Sequence, residues 1–326
     1  MLPRHSLFLL ISLSVFGQRG PALSPAEVEA RAQAAARLRA MIEASPKLPL
    51  EQTDLAVVLP PGQELGMVSW IARDPKSRVT WLIQRGDKAP PVIAVDEKGR
   101  VLHSFGQGLY KIPHSIRLDP QGNVWTVDAA SSTVIKFSPN GEKLLQIDVG
   151  GQPENSRSAF RGTTDIAFAP NGRIFISDGY GNARILEYSR DGKKIHEWGS
   201  AGTGPGQFHL PHSIVIDRQN IIYVADRENG RIEKFDFDGK FLGEIPNLGR
   251  TYSLKLATDG NLWAGMQPLN EPTGAPGWIV KLDRTTGKVL GYVAVTQKAG
   301  LHSVEEVGKG QPMTVAGNGV IWFRKP

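Results

Sequence analysis

The stretch "HSIVIDRQNIIYVADRENGRIEKFDFDGKFLGEI" (residues 212–245) alternates apolar runs with short polar turns, and the same texture recurs along the chain. Clear copies begin at His114 ("HSIRLDPQGNVWTVDAASSTVIKFSPNGEKLLQI") and at Thr164 ("TDIAFAPNGRIFISDGYGNARILEYSRDGKKIHEW"). Weaker copies begin near Ser69, Tyr252 and His302. Each clear copy contains four strand-like runs, and the period of about 40–50 residues is typical of a propeller blade.

Six starts predict an all-β, six-bladed β-propeller over residues 54–326. A single blade cannot bury both of its faces, so the ring is expected to form one cooperative domain. The sequence pattern predicts only two strands for the last copy. We therefore expect residues from about Asp54 to Leu59 to complete the sixth blade and close the ring.

The first 22 residues have the pattern of a signal peptide. Arg4 and His5 precede a short apolar run from Leu7 to Phe16, which is too short to cross a bilayer as a helix. This pattern predicts export to the periplasm or the medium, with no stable membrane anchor.

Residues 23–53 are predicted to form a helix and a linker. Ser24 as N-cap, Pro25 at the first helical position and Glu27 three residues after the cap form a capping box. The Ala- and Arg-rich run that follows ends before Pro46, and we interpret it as an exposed helix without chemistry of its own.

Composition limits the functional classes. The chain has no cysteine, so it forms no disulfide, and any transition metal must be held by nitrogen and oxygen ligands. The net charge of +6 is spread along the chain rather than gathered on one face, which argues against nucleic-acid binding.

Three of the six copies open with a histidine, and these copies alternate around the predicted ring. His114, His212 and His302 would therefore lie about 120° apart on inner strands and converge in the channel. Three neutral imidazoles with an open fourth position commonly hold catalytic zinc, although such a set also accepts other divalent ions. The alternative is that these histidines are polar residues that fill the channel.

The turn after the second strand of each blade carries further polar residues. Arg85 and Arg227 occupy the same position in their copies, and Tyr180 lies one place beyond it. Two guanidinium groups would suit a substrate with a carboxylate, and a tyrosine beside cations could have a lowered pKa and transfer a proton. The alternatives are that each arginine pairs with an aspartate in its turn and that the tyrosine packs between blades.

The segment from Thr163 to Ile232, which contains "SDGY", "GPGQF", "PHS" and "ADRENGRI" in this order, resembles peptidyl-α-hydroxyglycine α-amidating lyases (peptidylamidoglycolate lyases). These are six-bladed propellers of NHL-type repeats that act in peptide amidation. The resemblance covers roughly residues 60–326. It implies that His114, His212 and His302 bind zinc and that Tyr180, Arg85 and Arg227 are catalytic.

The resemblance also implies the substrate, a small peptidyl carbinolamide with a free carboxylate that is cleaved to an amide and glyoxylate. It leaves open which arginine contacts the carboxylate, and it leaves any protein partner unknown. A structural calcium ion in the family would use backbone carbonyls near Ile71 and Ile116. Ser303 replaces the aspartate expected there, and Gly181 replaces a cysteine, so the calcium site and the family disulfide are not expected to be complete here.

Two other functions compete with the lyase. One is a non-catalytic, exported NHL propeller that binds a protein or a glycan. The other is a calcium-dependent lactonase, whose channel would need acidic and amide side chains where the aligned copies have histidine, serine, threonine and tyrosine.

Overall fold

The computed structural model describes residues 24–151, 160–297 and 300–326. The predicted signal peptide, residues 1–22, lies outside the described residues. Within the described part of the chain, no helix is long and apolar enough to span a membrane.

The predicted N-terminal helix is present as α1 (Pro25–Glu43), and both halves of the Ser24–Glu27 capping box are formed. One face of α1 is not exposed, because Ala35, Leu38 and Ile42 are buried. Leu38 and Ile42 pack into a core cluster with residues of the fourth and fifth blades. The helix is therefore docked on the propeller, whereas the sequence suggested an exposed segment.

The remaining elements are strands, beginning with β1 (Glu51–Leu55). The first blade contains β2 (Val68–Arg73), β3 (Thr80–Gln84), β4 (Val92–Val95) and β5 (Val101–Phe105). The second contains β6 (Pro113–Leu118), β7 (Val124–Asp128), β8 (Thr133–Phe137) and β9 (Lys143–Asp148). The third contains β10 (Thr163–Phe168), β11 (Ile174–Asp178), β12 (Arg184–Tyr188) and β13 (Lys194–Trp198).

A small parallel pair, β14 (Ser200–Ala201) and β15 (Gln207–Phe208), precedes the fourth blade. The fourth blade contains β16 (Pro211–Ile216), β17 (Ile222–Asp226), β18 (Arg231–Phe235) and β19 (Phe241–Ile245). The fifth contains β20 (Arg250–Leu256), β21 (Leu262–Gln267), β22 (Gly277–Leu282) and β23 (Val289–Val295). The sixth contains β24 (Val304–Gly308), β25 (Gln311–Ala316) and β26 (Gly319–Arg324), with β1 as its outer strand.

The six four-stranded sheets confirm the predicted six-bladed propeller. β1 pairs antiparallel with β26, so a strand from the N-terminal side closes the ring as expected. The closing strand is Glu51–Leu55, slightly earlier than the expected region, and the last copy supplies three strands rather than two. Only Lys309 and Gly310 separate β24 from β25, a shorter turn than the one between β6 and β7 in a clear copy.

Burial decreases from the axis of the ring to its rim. The inner strand β6 is buried at five of its six positions, whereas the outer strand β13 is mostly exposed. Apolar side chains of adjacent blades pack between the sheets, as Trp125 and Ile147 do against Ile166 and Ile176. The inner strands β2, β6, β10, β16, β20 and β24 contact one another in sequence around the channel. Residues at the start of each inner strand therefore meet at one end of the channel.

Candidate metal centre and active site

The three predicted histidines are brought together at the start of alternate inner strands. Their ring centroids are 4.8–5.0 Å apart, and each ring offers a nitrogen within 4.8 Å of those of the other two. His114 and His212 are fully buried, and His302 is 5% exposed. This trio is the one group of three or more potential metal-binding side chains found among the described residues.

One nitrogen of each imidazole is held by the next blade. His114 Nδ1 lies 2.6 Å from the Thr164 carbonyl oxygen, and His212 Nδ1 lies 2.6 Å from that of Tyr252. His302 Nδ1 lies 2.7 Å from the carbonyl oxygen of Ser69. A carbonyl oxygen only accepts, so Nδ1 carries the proton and the lone pair is on Nε2 of each ring.

The protonation state suits metal binding. Burial, reinforced by the neighbouring cationic groups, lowers the pKa of His114 and of His212 well below the usual value. Burial likewise lowers the pKa of His302 to about 3, so all three rings are neutral at neutral pH. Three neutral imidazoles with fixed tautomers fit a divalent transition metal, and this donor set is the one found in catalytic zinc sites.

Tyr180 places its hydroxyl between two of the histidines. Its Oη lies 2.9 Å from His114 Nε2 and 3.0 Å from His212 Nε2. Gly179 permits this approach, because a Cβ at that position would lie 2.2 Å from the Pro211 carbonyl oxygen in the next blade. Burial raises the pKa of Tyr180 more than the nearby arginines lower it, so the expected lowered pKa is not found.

Arg227 approaches the tyrosine from the fourth blade. Its guanidinium carbon lies 6.0 Å from the centroid of the Tyr180 ring and 5.2 Å from that of Tyr252. Its Nε donates to Glu228 Oε1 at 3.0 Å, and Arg250 Nε donates to the same oxygen at 2.9 Å. The Glu228 carboxylate therefore accepts hydrogen bonds from two arginines and fixes the orientation of the Arg227 side chain.

Arg85 directly follows β3 of the first blade and is held by fewer hydrogen bonds than its guanidinium group could make. Its Nε donates to the Pro113 carbonyl oxygen at 2.9 Å, and its guanidinium carbon lies 5.2 Å from the Phe160 ring. Its Nη2 is buried and has no hydrogen-bond partner within the part of the chain that is described. A buried donor without a partner is costly, and an anion such as a carboxylate would satisfy it.

Several residues of the site were not found by sequence reasoning. Trp70 is fully buried and its ring lies 5.5–6.3 Å from all three imidazoles. Arg117, on the same strand as His114, lies beneath Trp70. The available signal was that arginine occupies an inner-strand position where the copy at His212 has Val215.

The serines that follow His212 and His302 also have a role that the repeat alone did not reveal. Ser213 Oγ accepts from the Leu254 N–H at 3.0 Å, and Ser303 Oγ accepts from the Ile71 N–H at 3.1 Å. At His212–Ser213 and at His302–Ser303 the "HS" pair thus joins its blade to the next through two hydrogen bonds, one from each side chain. Ser115, which follows His114, makes no such bond among the described residues.

The residues implied for a calcium ion do not fit one. Ser303 offers a hydroxyl instead of a carboxylate, and that hydroxyl bonds to the N–H of Ile71 and lies 3.4 Å from its carbonyl oxygen. Ile116 lies on β6 in register with Thr126. Without a carboxylate, these groups form a poor site for a hard cation.

Part of the chain is similar in sequence to a propeller family and to proteins named as amidating enzymes. A family model described as a 6-bladed beta-propeller matches residues 159–264. The protein named peptidyl-glycine alpha-amidating monooxygenase of Mus musculus is 40% identical over 164 residues, which cover 47% of this chain and 17% of that protein. Peptidyl-alpha-hydroxyglycine alpha-amidating lyase 1 of Drosophila melanogaster is 37% identical over 162 residues, covering 46% of this chain and 30% of that protein.

A third relative carries no enzyme name. NHL repeat-containing protein 3 of Homo sapiens is 31% identical over 194 residues, covering 56% of each chain. The chain thus spans less than two thirds of the length of each of these relatives.

Solved structures confirm the fold but do not separate the chemistries. A streptogramin B lyase structure has a TM-score of 0.57 at 15% identity, covering 84% of this chain and 97% of that one. A gluconolactonase from Xanthomonas campestris has a TM-score of 0.58 at 13% identity, covering 87% and 92%. One fold hosts different reactions, so the function must be argued from the site.

The fold and the site define a six-bladed β-propeller with a buried three-histidine cluster at one end of its channel. The named relatives confirm the resemblance of this chain, over part of its length, to peptidyl-α-hydroxyglycine α-amidating lyases.

Proposed function

We propose that the protein is a zinc-dependent lyase that cleaves a peptidyl-α-hydroxyglycine-type carbinolamide into an amide and glyoxylate. The observation that carries this proposal is the position of the Tyr180 hydroxyl, within 3.0 Å of Nε2 of both His114 and His212. The names of the relatives that are lyases support it as well.

The reaction needs one bond cleavage and a proton transfer. In peptide–NH–CH(OH)–COO⁻ the C–N bond breaks and its electron pair goes to nitrogen, while the O–H electron pair forms the carbonyl of glyoxylate. The nitrogen gains one proton and the hydroxyl loses one, so no oxidant or reductant is needed. The protein must therefore bind the carboxylate, favour loss of the hydroxyl proton and supply a proton to nitrogen.

His114, His212 and His302 would hold the metal. When bound, a divalent metal supplies Lewis acidity at the hydroxyl oxygen. The three histidines contribute by keeping Nε2 unprotonated and aimed at one point, because each Nδ1–H is fixed on a backbone carbonyl of the next blade.

Tyr180 is the proposed proton-transfer residue. Burial raises its pKa, so the phenol keeps its proton at neutral pH and can donate it to the leaving nitrogen. It can take up the hydroxyl proton in exchange, which returns it to its starting state.

The two arginines have different surroundings, which indicates different roles. We assign Arg85 to the substrate carboxylate, because its buried Nη2 has no hydrogen-bond partner among the described residues. Arg227 is anchored by Glu228 and lies beside the Tyr180 ring, so it stabilises negative charge that develops on the phenol.

We also propose that the chain is exported, because a short apolar run follows Arg4 and His5 at its beginning. The binding-module function is not favoured. A propeller that only binds a partner on its face does not require three neutral histidines with fixed tautomers in the channel.

The proposal is tested by measuring glyoxylate release from a blocked peptidyl-α-hydroxyglycine, with a protein-free sample at the same pH as the blank. We expect release that a chelator abolishes and added zinc restores. The matched variants are His212→Ala, which should be inactive, and His209→Ala, which removes a histidine outside the trio and should remain active. No release from folded, zinc-loaded protein would overturn the proposal.

A further inference from the structure

A buried arginine lies on the axis of the propeller, below the histidines. Arg117 is three residues after His114 on β6, about 10 Å further along the channel at about 3.3 Å per residue. Its Nε and Nη2 donate to the two carboxylate oxygens of Asp165 at 3.0 and 2.6 Å. Nη2 also lies 3.3 Å from Ser213 Oγ and 3.2 Å from the Leu254 carbonyl oxygen.

The same guanidinium reaches the two remaining blades. Its central carbon lies 5.0 Å from the Trp70 ring centroid in the first blade, and its Nη1 lies 3.9 Å from Glu305 Oε1 in the sixth. Asp165, Ser213 and Leu254 belong to the third, fourth and fifth blades. One side chain from the second blade therefore contacts the inner strands of all five others.

The charges around this arginine are already balanced. Asp165 is fully buried and Glu305 is 1% exposed, and Lys255 Nζ lies 2.6 Å from Glu305 Oε2. Two cationic side chains thus face two carboxylates. A calcium ion here would add two positive charges, but both carboxylates are already paired with cationic side chains. Ser303 supplies no further carboxylate.

Trp70 separates this ionic cluster from the histidines. Its ring centroid is 5.5–6.3 Å from those of the three imidazoles, and the guanidinium carbon of Arg117 lies 5.0 Å from the same centroid. Trp70 and Arg117 therefore fill the channel directly beneath the three histidines.

We propose that the guanidinium of Arg117 is a permanent axial cation that ties the six inner strands together, so that this propeller needs no calcium. This inference does not depend on the proposed reaction. It explains why the chain can have serine at position 303, where the resemblance implies an aspartate.

The first test uses the unaltered protein and measures its thermal unfolding midpoint with excess calcium and with a calcium-selective chelator. We expect the two midpoints to agree within about 1 °C, because no site gains or loses an ion. A midpoint that rises by several degrees with calcium, and rises further with calcium concentration, would overturn the inference.

The second test replaces the cation. Arg117→Met leaves Asp165 buried without its partner and should lower the midpoint by on the order of 10 °C. The matched control is Arg73→Met, because Arg73 is also buried but bonds to Arg78, Thr80 and Glu97 of its own blade. Its loss should be no more than about half as large.

If Arg117→Met does not fold, Arg117→Lys keeps the charge but loses the paired hydrogen bonds and is measured in its place. Equal losses for the Arg117 variant and the Arg73 control would show that contact with all the blades adds nothing, and would overturn the inference.

Discussion

Replacement of Glu228 by glutamine tests whether the Glu228 carboxylate stabilises the fold and holds Arg227 in position. Glu228 Oε1 accepts from Nε of both Arg227 and Arg250, and Arg31 of α1 lies 3.5 Å from Oε2. Glutamine keeps the shape of the side chain and removes its charge. We expect Glu228→Gln to weaken the fold and to lower activity, because Arg227 loses its anchor.

The magnitude follows from the pKa of Glu228. Burial alone would raise this pKa, but Arg227 and Arg250 lower it from 4.5 to about 2. The difference corresponds to about 3–3.5 kcal/mol, at about 1.4 kcal/mol for each pKa unit. Because the folded pKa is below the unfolded one, this stabilisation is present above pH 4.5 and is lost as the pH falls toward about 2.

The assay is chemical unfolding of the wild type and the variant at pH 7 and at several lower pH values. The matched control is Glu271→Gln, because Glu271 is 39% exposed and its pair with Arg39 is a surface contact, worth about 0–1 kcal/mol. At pH 7 the Glu228 variant should lose about 3–3.5 kcal/mol and the control almost nothing. A Glu228 variant within about 0.5 kcal/mol of the control would refute the reasoning.

Four further outcomes are expected. His212→Ala should lose bound metal while its circular dichroism is unchanged, and retained stoichiometric zinc would contradict the assigned ligands. Tyr180→Phe should keep the metal and lower kcat by about 10²–10⁴-fold, so a nearly unchanged kcat would exclude it as the proton donor. Leu38→Ala should cost about 2–5 kcal/mol in denaturant unfolding, because the side chain is fully buried where α1 docks; a cost below 1 kcal/mol would show that the docking is weak. Burial raises the pKa of Glu233 from 4.5 to about 7, so the free energy of unfolding should fall as the pH rises through this range, and Glu233→Gln should lose that slope.

The fold was predictable because its unit is repeated. Three clear copies establish the strand pattern, and the weaker ones then follow at the same spacing. The short hairpin at Lys309–Gly310 and the docking of α1 were harder to predict. Glu305, Glu306 and Pro312 give β24 and β25 little of the apolar alternation of the clear copies. The buried stripe of α1 consists of only Ala35, Leu38 and Ile42.

The metal-site candidates were predictable for the same reason, since a ligand repeated in alternate copies must return to the axis. Trp70, Arg117 and Asp165 each occur in one copy only, so no repeat draws attention to them. Their roles depend on contacts across the channel between positions that are distant in the sequence, such as Arg117 and Leu254, which are 137 residues apart. The pKa of Tyr180 also could not be read from its neighbours in the sequence, because burial outweighs the two arginines.

The pairing of β1 with β26 has a consequence for how the protein matures during synthesis. His302 is translated after five of the blades, and it lies just before the blade that the closing strand completes. A growing chain with five finished blades holds two of the three histidines and still has an unsealed ring. The cluster of three histidines is therefore completed only when the sixth blade joins the other five.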